Sequence, residues 1–163
     1  MPIVRSEEDT RELLARRLEE VRTLDDTVFA DSVSDVGDHH RKLLERFESF
    51  VGALLAGHLE NDRLDDMAQD FGQFLGGHFS VEETIMDLLE YPLAEVHKEH
   101  HRRFAEELGQ LLRMVPLGVR TYGDFALAIG QWLLVHEGTF DAELSRYAAD
   151  AIGANGQVKV TGR

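Results

Sequence analysis

Residues 62–89 read DRLDDMAQDFGQFLGGHFSVEETIMDLL, and their apolar side chains recur at intervals of three and four. This spacing is typical of an amphipathic helix with one face in a core. The apolar face carries Met67, Phe71, Phe74, Leu75, Ile85 and Leu89. His78 and Glu82 fall at the centre of the same face, where a histidine and an acid need partners. The stretch therefore predicts a long helix that brings two polar side chains into a core.

The remainder of the chain shows the same helical spacing, and no strand-like alternation persists. We predict four long helices, over residues 38–57, 62–89, 93–114 and 121–149. A short charged helix at 7–23 and an irregular stretch at 24–37 precede them. The connections between the long helices are short, so sequential helices should be antiparallel neighbours. The expected fold is all-α: an up-down-up-down four-helix bundle with an extra N-terminal helix.

The composition points to one acidic domain of 163 residues with a formal charge of −14. We divide it into an N-terminal helix and arm (1–37), the bundle (38–150) and a flexible tail (151–163). The acidity argues against nucleic acid or an anionic membrane as a partner. The absence of cysteine excludes disulfides and thiolate metal sites. The N-terminus does not resemble a secretory leader and no apolar run has membrane-spanning length, so we expect a cytoplasmic protein.

Five of the eight histidines share the apolar face of a long helix. They are His40, His78, His97, His101 and His136. A single histidine on such a face is usually a hydrogen-bonded core residue. Burial of five imidazoles and the Glu82 carboxylate, contributed by all four helices, would cost several kcal/mol if nothing compensated for it. Metal ions would supply this compensation. The other three, His39, His58 and His100, are expected to be bystanders.

Two of the helices carry pairs with the spacing of metal ligands. His78 and Glu82 lie four positions apart, and so do His97 and His101. Side chains at this spacing lie on one face of a helix and can converge on one ion. Each pair alone is a weak signal, because the spacing is common in helices.

The fourth helix offers a third pair in WLLVHEGTFD (132–141), where His136 and Asp141 are five positions apart. In a regular helix this separation corresponds to about 140° of rotation, which would turn Asp141 away. A one-turn π-bulge would bring both onto the same face, and Gly138 would ease the distortion. Without the other ligands, Asp141 would equally well be a solvated surface acid.

Taken in order, these elements form the pattern H…HFxxEExxM…HxxxH…WLxxHxxxxD. It is carried by His40, HFSVEETIM (78–86), the pair His97/His101 and WLLVHEGTFD (132–141). The pattern resembles the hemerythrin family, specifically its bacterial branch, over about residues 38–145. The aspartate at five-residue spacing distinguishes it from the broader HHE relatives, which have a second HxxxE instead.

The resemblance implies two iron ions joined by an oxo or hydroxo bridge. It assigns His97, His101 and His136 to one ion and His40 and His78 to the other. Glu82 and Asp141 would bridge the two. Two octahedral ions offer about twelve ligand positions, and this set leaves one of them open, on the two-histidine ion.

In the family, dioxygen binds reversibly at this open position as a hydroperoxide. The resemblance therefore implies an oxygen-binding protein for storage, transport or sensing, and nitric oxide or anions such as azide could take the same place. The pocket is expected to be lined by Phe47, Phe79, Trp132 and Leu133.

Two classes of function stay open. The alternative to oxygen binding is a di-iron enzyme or scavenger that acts on peroxide or nitric oxide, or in iron–sulfur repair. Ferritin-like di-iron sites use more carboxylates than this histidine-rich set, so we expect binding and no catalytic residue.

The N-terminal helix also has two interpretations. We expect it to be a packing or solvated helix with many Glu/Arg pairs. Alternatively, its apolar side (Leu13, Leu14, Leu18 and Val21) forms an oligomer or partner contact.

Overall fold

The computed structural model describes residues 5–27 and 34–152, and the regular structure of these residues is entirely helical. This confirms the all-α prediction. The helices are α1 (Glu7–Thr27), α2 (Ser34–Ala56), α3 (Asn61–Leu88), α4 (Ala94–Met114), α5 (Tyr122–His136), a π-helical turn (Glu137–Asp141) and α6 (Ala142–Ile152). None of them combines the length and the apolar character needed to cross a membrane, so far as the described residues go. Most of the predicted tail, from residue 153 onward, lies outside the described residues.

Both ends of the predicted irregular stretch at 24–37 are helical in the structure. Helix α1 continues to Thr27 and α2 begins at Ser34, and residues 28–33 lie outside the described part. The prediction ended α1 where its apolar spacing ends, although no proline or glycine follows there to stop a helix. Serine and aspartate are favoured at helix starts, which agrees with the Ser-Asp sequence that opens α2.

Four of the helices form the bundle. Helix α2 packs on α3, α3 on α4, α4 on α5, and α5 back on α2. Helix α5, the π turn and α6 follow one another without a break. A capping box starts this long segment: the Thr121 side chain accepts a hydrogen bond from the Asp124 backbone, and the Asp124 carboxylate accepts one from the Thr121 backbone.

The apolar core has two parts, which lie on either side of a polar layer. The larger cluster includes Phe47, Phe71 and Leu75, and the smaller one consists of Met86, Tyr91 and Leu144. Along α3, the buried residues His78 and Glu82 come between Leu75 and Met86. The polar residues are thus enclosed by apolar layers at both ends, which keeps them away from water.

Helix α1 is a fifth packed helix, which lies across α5 and α2. Its Leu14, Leu18 and Val21 are buried in the larger core cluster, and the Arg11 guanidinium donates a hydrogen bond to the Leu55 carbonyl of α2. The apolar side of α1 is therefore occupied within the chain. This agrees with the packing interpretation and leaves little of that side for a partner.

Glycine in α5 allows α1 to approach closely. A Cβ atom at Gly130 would lie 2.3 Å from Cγ of Arg17 in α1 and 3.0 Å from Cζ of Phe47 in α2. A Cβ at Gly123, seven residues earlier on the same face, would lie 2.8 Å from Cγ2 of Thr10. The two glycines therefore set the distance between these helices.

We expect Gly130→Ala to lower the free energy of unfolding by about 1–3 kcal/mol, the usual cost of overpacking a core. The new methyl group would displace Arg17 and Phe47. Gly52→Ala is the matched control, because a Cβ there meets nothing within 4 Å and alanine favours a helix over glycine by about 1 kcal/mol. Urea unfolding of both variants measures the difference. Equal stability of the two variants would contradict the close packing.

Candidate metal centre

The seven predicted ligands meet between the two apolar clusters, and each is at most 2% exposed. Their nitrogen and oxygen atoms form two groups, and within each group the atoms lie within 4.8 Å of one another. One group is Glu82, His97, His101, His136 and Asp141; the other is His40, His78, Glu82 and Asp141. The structure thus brings the predicted residues together in the predicted grouping, with the two acids common to both groups.

The two oxygens of each shared acid face different groups. Oε1 of Glu82 lies 3.1 Å from Nε2 of His40 and also contacts Nε2 of His78. Its Oε2 lies 3.2 Å from Nε2 of His97. In Asp141, Oδ2 lies 3.3 Å from Nε2 of His40, and Oδ1 lies 3.1 Å from Nε2 of His97. A carboxylate with this orientation can hold one ion with each oxygen.

The π turn orients the last of these acids. The structure has a five-residue π-helix at Glu137–Asp141, which confirms the predicted bulge. Through this turn Asp141 faces the same way as His136, and its Oδ1 lies 3.0 Å from Nε2 of His136. The turn includes Gly138, but a Cβ atom there would meet nothing within 4 Å, so lack of space does not require glycine at this position. The sequence thus places two ligands on one face although their spacing does not fit an α-helix.

Three oxygens of the centre are suited to a metal ion. Oε2 of Glu82 and both carboxylate oxygens of Asp141 are buried; imidazole nitrogens lie 3.0–3.3 Å away, but within the part of the chain that the structure describes these oxygens accept no hydrogen bond of regular geometry. Burial of an ionised carboxylate without compensation is costly. A metal ion would compensate it, and a set of imidazole and carboxylate donors without thiolate suits iron among other transition metals. The residues present therefore fit a metal centre.

The charges of the metal-free centre balance one another. Burial alone would raise the pKa of Glu82 and of Asp141, but the surrounding imidazoles, His78 and His136 foremost, hold both values below their ordinary range. Burial would likewise lower the pKa of His97, yet the carboxylates of Asp141 and Glu82 raise it to about 9. The pKa of His136 is raised for the same reason. Protons on these imidazoles occupy the place that metal ions would take.

This balance predicts how the stability of the metal-free protein depends on pH. A pKa of His97 raised from 6.5 to about 9 means that its proton contributes stability fully below pH 6.5, and that this contribution is lost as the pH rises through about 9. The raised pKa of His136 acts in the same direction. We therefore expect the Tm of the metal-free protein to fall between pH 6.5 and 9.

The metal-loaded protein is the control for this effect. A metal ion displaces the protons from the imidazoles, so its binding should tighten as the pH rises and the Tm of the loaded form should change less over the same range. Calorimetry of both forms across this range measures the difference. A Tm of the metal-free form that stays level or rises would contradict the proposed proton balance.

The structure places the residues predicted to line the pocket close to the ligand groups or in the larger core cluster. The ring of Phe79 lies 3.9 Å from that of His101 and nearly parallel to it, and the ring of Trp132 lies 4.1 Å from that of His136. Both are therefore packed on the three-histidine group, and the ring of Phe79 also lies 6.3 Å from that of His78 in the two-histidine group. Their part in lining a pocket stays a prediction. Phe47 and Leu133 are buried in the larger core cluster, and Phe47 lies beneath α1.

Sequence reasoning missed two polar residues at the centre. His100, predicted to be a bystander, is half-buried, and its Nδ1 lies 2.7 Å from Nδ1 of His136. Burial and the neighbouring His136 lower the pKa of His100 to about 4. Glu137 is also buried, directly after His136. The signals available were the doublet of His100 with His101 and the acid within the π-bulge motif.

The remaining two histidines stay outside the ligand groups. His39 is half-buried, with its ring 5.7 Å from that of His78, and His58 is exposed in the connection between α2 and α3.

Comparison with known proteins bears on these findings. Residues 31–145 match the family model described as the hemerythrin HHE cation binding domain. Comparisons with curated proteins and with solved structures gave no match. The matched range covers most of the chain and contains all seven residues of the two ligand groups. The chain therefore belongs to the hemerythrin HHE cation-binding family, and its bundle is a metal-binding domain.

Proposed function

We propose that the domain holds two iron ions and binds dioxygen reversibly at the ion held by His40 and His78, as in the bacterial branch of the family. The observation that carries the proposal is the division of the two shared carboxylates between two groups of histidines. One ion would leave several of these buried donors without a partner. Two ions use them all.

The unequal numbers of histidines support an open position at one ion. Three histidines, two carboxylate oxygens and a bridging oxygen would complete an octahedron around the first ion. The second ion would have only His40 and His78 beside the same bridging groups, which would leave one position for a small molecule. Ferrous iron supplies the electrons that reversible binding of dioxygen requires.

The protein's contribution is to bury the site and to limit what reaches it. All seven candidate ligands are nearly inaccessible to water, and apolar clusters close both ends of the polar layer. A dry, apolar surrounding admits a diatomic molecule and disfavours a large polar substrate. This supports binding over catalysis. Storage, transport and sensing are the roles that such a site would serve.

Loading with iron and cycling of oxygen test the proposal. We expect about two irons per chain after anaerobic loading with Fe²⁺, and a visible absorption band that appears in air and disappears under argon. Irreversible oxidation with consumption of added peroxide would instead favour the enzymatic alternative. Well under two irons per chain would contradict the di-iron centre itself.

Replacement of His40 tests which ion binds dioxygen. We expect His40→Ala to abolish the reversible band, because the variant removes one of the two imidazoles from the open ion. His58→Ala, at an exposed histidine in a loop, is the control and should behave as the unaltered protein. Spectra and oxygen affinity that are unchanged in His40→Ala would overturn the assignment of the open ion.

A further inference from the structure

We infer that His100 is a positioning residue for His136, which it holds by accepting a hydrogen bond. Nδ1 of His100 lies 2.7 Å from Nδ1 of His136, and the planes of the two rings are within 5° of parallel. Parallel rings in face-to-face contact are separated by about 3.5 Å or more. The shorter nitrogen–nitrogen distance therefore means that the rings meet edge to edge. This is the geometry of an in-plane N–H···N hydrogen bond.

The direction of this hydrogen bond follows from the other edge of His136. Its Nε2 lies 3.0 Å from Oδ1 of Asp141 and 3.0 Å from Nε2 of His97, so Nε2 is the atom that faces the metal position. A neutral imidazole that binds a metal through Nε2 carries its proton on Nδ1. His136 therefore donates this proton, and Nδ1 of His100 accepts it.

The pair is held in place by two further aromatic rings. Phe140 lies nearly parallel to His100 with ring centroids 4.3 Å apart, and Trp132 lies nearly parallel to His136 with ring centroids 4.1 Å apart. These contacts restrict rotation of both imidazoles. His100 is thus fixed by packing, as a residue must be if it is to orient another.

The other histidines of the three-histidine group lack such support. Within residues 5–27 and 34–152, Nδ1 of His97 and of His101 has no hydrogen-bond partner, and the Glu83 carboxylate lies 3.9 Å from Nδ1 of His101, beyond hydrogen-bond length. His101 and His100 are consecutive in α4 and contact opposite edges of His136: the first reaches its Nε2 at 3.1 Å, the second its Nδ1. Because both Nε2 atoms face the metal position, the contact that His100 makes at Nδ1 is the one that can hold His136 beside a metal ion. Hydrogen-bond partners of ligands commonly change metal affinity by about 10- to 100-fold when they are lost.

Zn²⁺ is a suitable probe, because this inference rests on the metal site of the proposed function but not on dioxygen. His100→Phe keeps a flat ring against Phe140 and removes the acceptor; His100→Gln restores an acceptor. We expect His100→Phe to weaken the affinity for Zn²⁺ by about 10- to 100-fold, and His100→Gln to recover most of the loss. His58→Phe, at an exposed position, is the control.

Nitrogen-15 NMR of the Zn²⁺-loaded protein gives a readout that packing alone would not change. In the unaltered protein we expect the Nδ1 proton of His136 to resonate downfield and to exchange slowly with water. In His100→Phe it should move upfield and exchange faster. An unaltered protein that binds no Zn²⁺ would refute the metal site itself. If the site binds Zn²⁺ but His100→Phe matches the control in affinity and leaves this proton unshifted, or if His100→Gln recovers nothing, the positioning role is refuted.

Discussion

Glu82→Gln is expected to weaken metal binding by at least about 100-fold. The change keeps the size of the side chain but replaces one of the two oxygens that face the separate histidine groups and removes the negative charge between them. Loss of a hydrogen-bond partner of a ligand already lowers metal affinity by up to about 100-fold, so loss of a shared ligand should lower it further. The unaltered protein should gain about 2.7 kcal/mol of stability when the free metal is at 100 times its Kd, and the variant should gain almost none.

Thermal unfolding with and without Fe²⁺ or Zn²⁺ measures this gain, and metal analysis of the same samples measures occupancy. Glu107→Gln, an exposed acid on α4, is the matched control and should keep the whole metal-dependent rise in Tm. Circular dichroism of the metal-free variant shows whether the bundle is still folded. A folded Glu82→Gln protein that binds as much metal as the control would refute the bridging role of Glu82.

Leu14→Ala should lower the free energy of unfolding by about 2–5 kcal/mol, as large-to-small changes in a core do. Leu14 is 2% exposed and belongs to the larger core cluster although it lies in α1, outside the four-helix bundle. The size of the loss therefore measures how fully the fifth helix takes part in the core. Urea unfolding of the single-site variant gives the value.

Leu117→Ala is the control for this experiment, because Leu117 is 75% exposed and its truncation should change stability by less than about 0.5 kcal/mol. Sedimentation of both variants addresses the alternative role of α1. If Leu14→Ala left stability unchanged and instead changed the number of chains per particle, the apolar side of α1 would be a contact between chains. We expect the opposite pair of results.

The sequence was sufficient to predict the helices because their apolar periodicity is strong. The sequence also predicted the π turn, because His136 and Asp141 can share a face only if one residue is inserted into the helix. The least accurate boundaries were the end of α1 and the start of α2, where apolar spacing stops but the backbone stays helical. Periodicity reports which residues are buried, and it says little about a helical segment that buries nothing.

The surroundings of the ligands were harder to predict. A helical wheel shows the direction of each side chain but not how far neighbouring helices are rotated against one another. This relation decides that His100 of α4 reaches the ring of His136 in α5, and that Phe79 of α3 lies on His101 of α4. It also decides that α1 crosses α5 at Gly130, a residue whose lack of a side chain gives no apolar signal. The ligands follow from spacing within single helices, whereas supports such as His100 and Phe79 follow from contacts between helices.

The polar layer between the two apolar clusters has a consequence for the way in which the molecule holds together. Met86, Tyr91 and Leu144 form a small block of three buried residues, far fewer than in the larger cluster. Along α3 and the segment from α5 to α6, this block is linked to the main core through residues that are metal ligands in the proposed function. Metal ions in this layer would connect the small block to the larger core cluster. With the ions bound, we expect the small block and the larger cluster to unfold as one unit, and without them we expect the small block to unfold first.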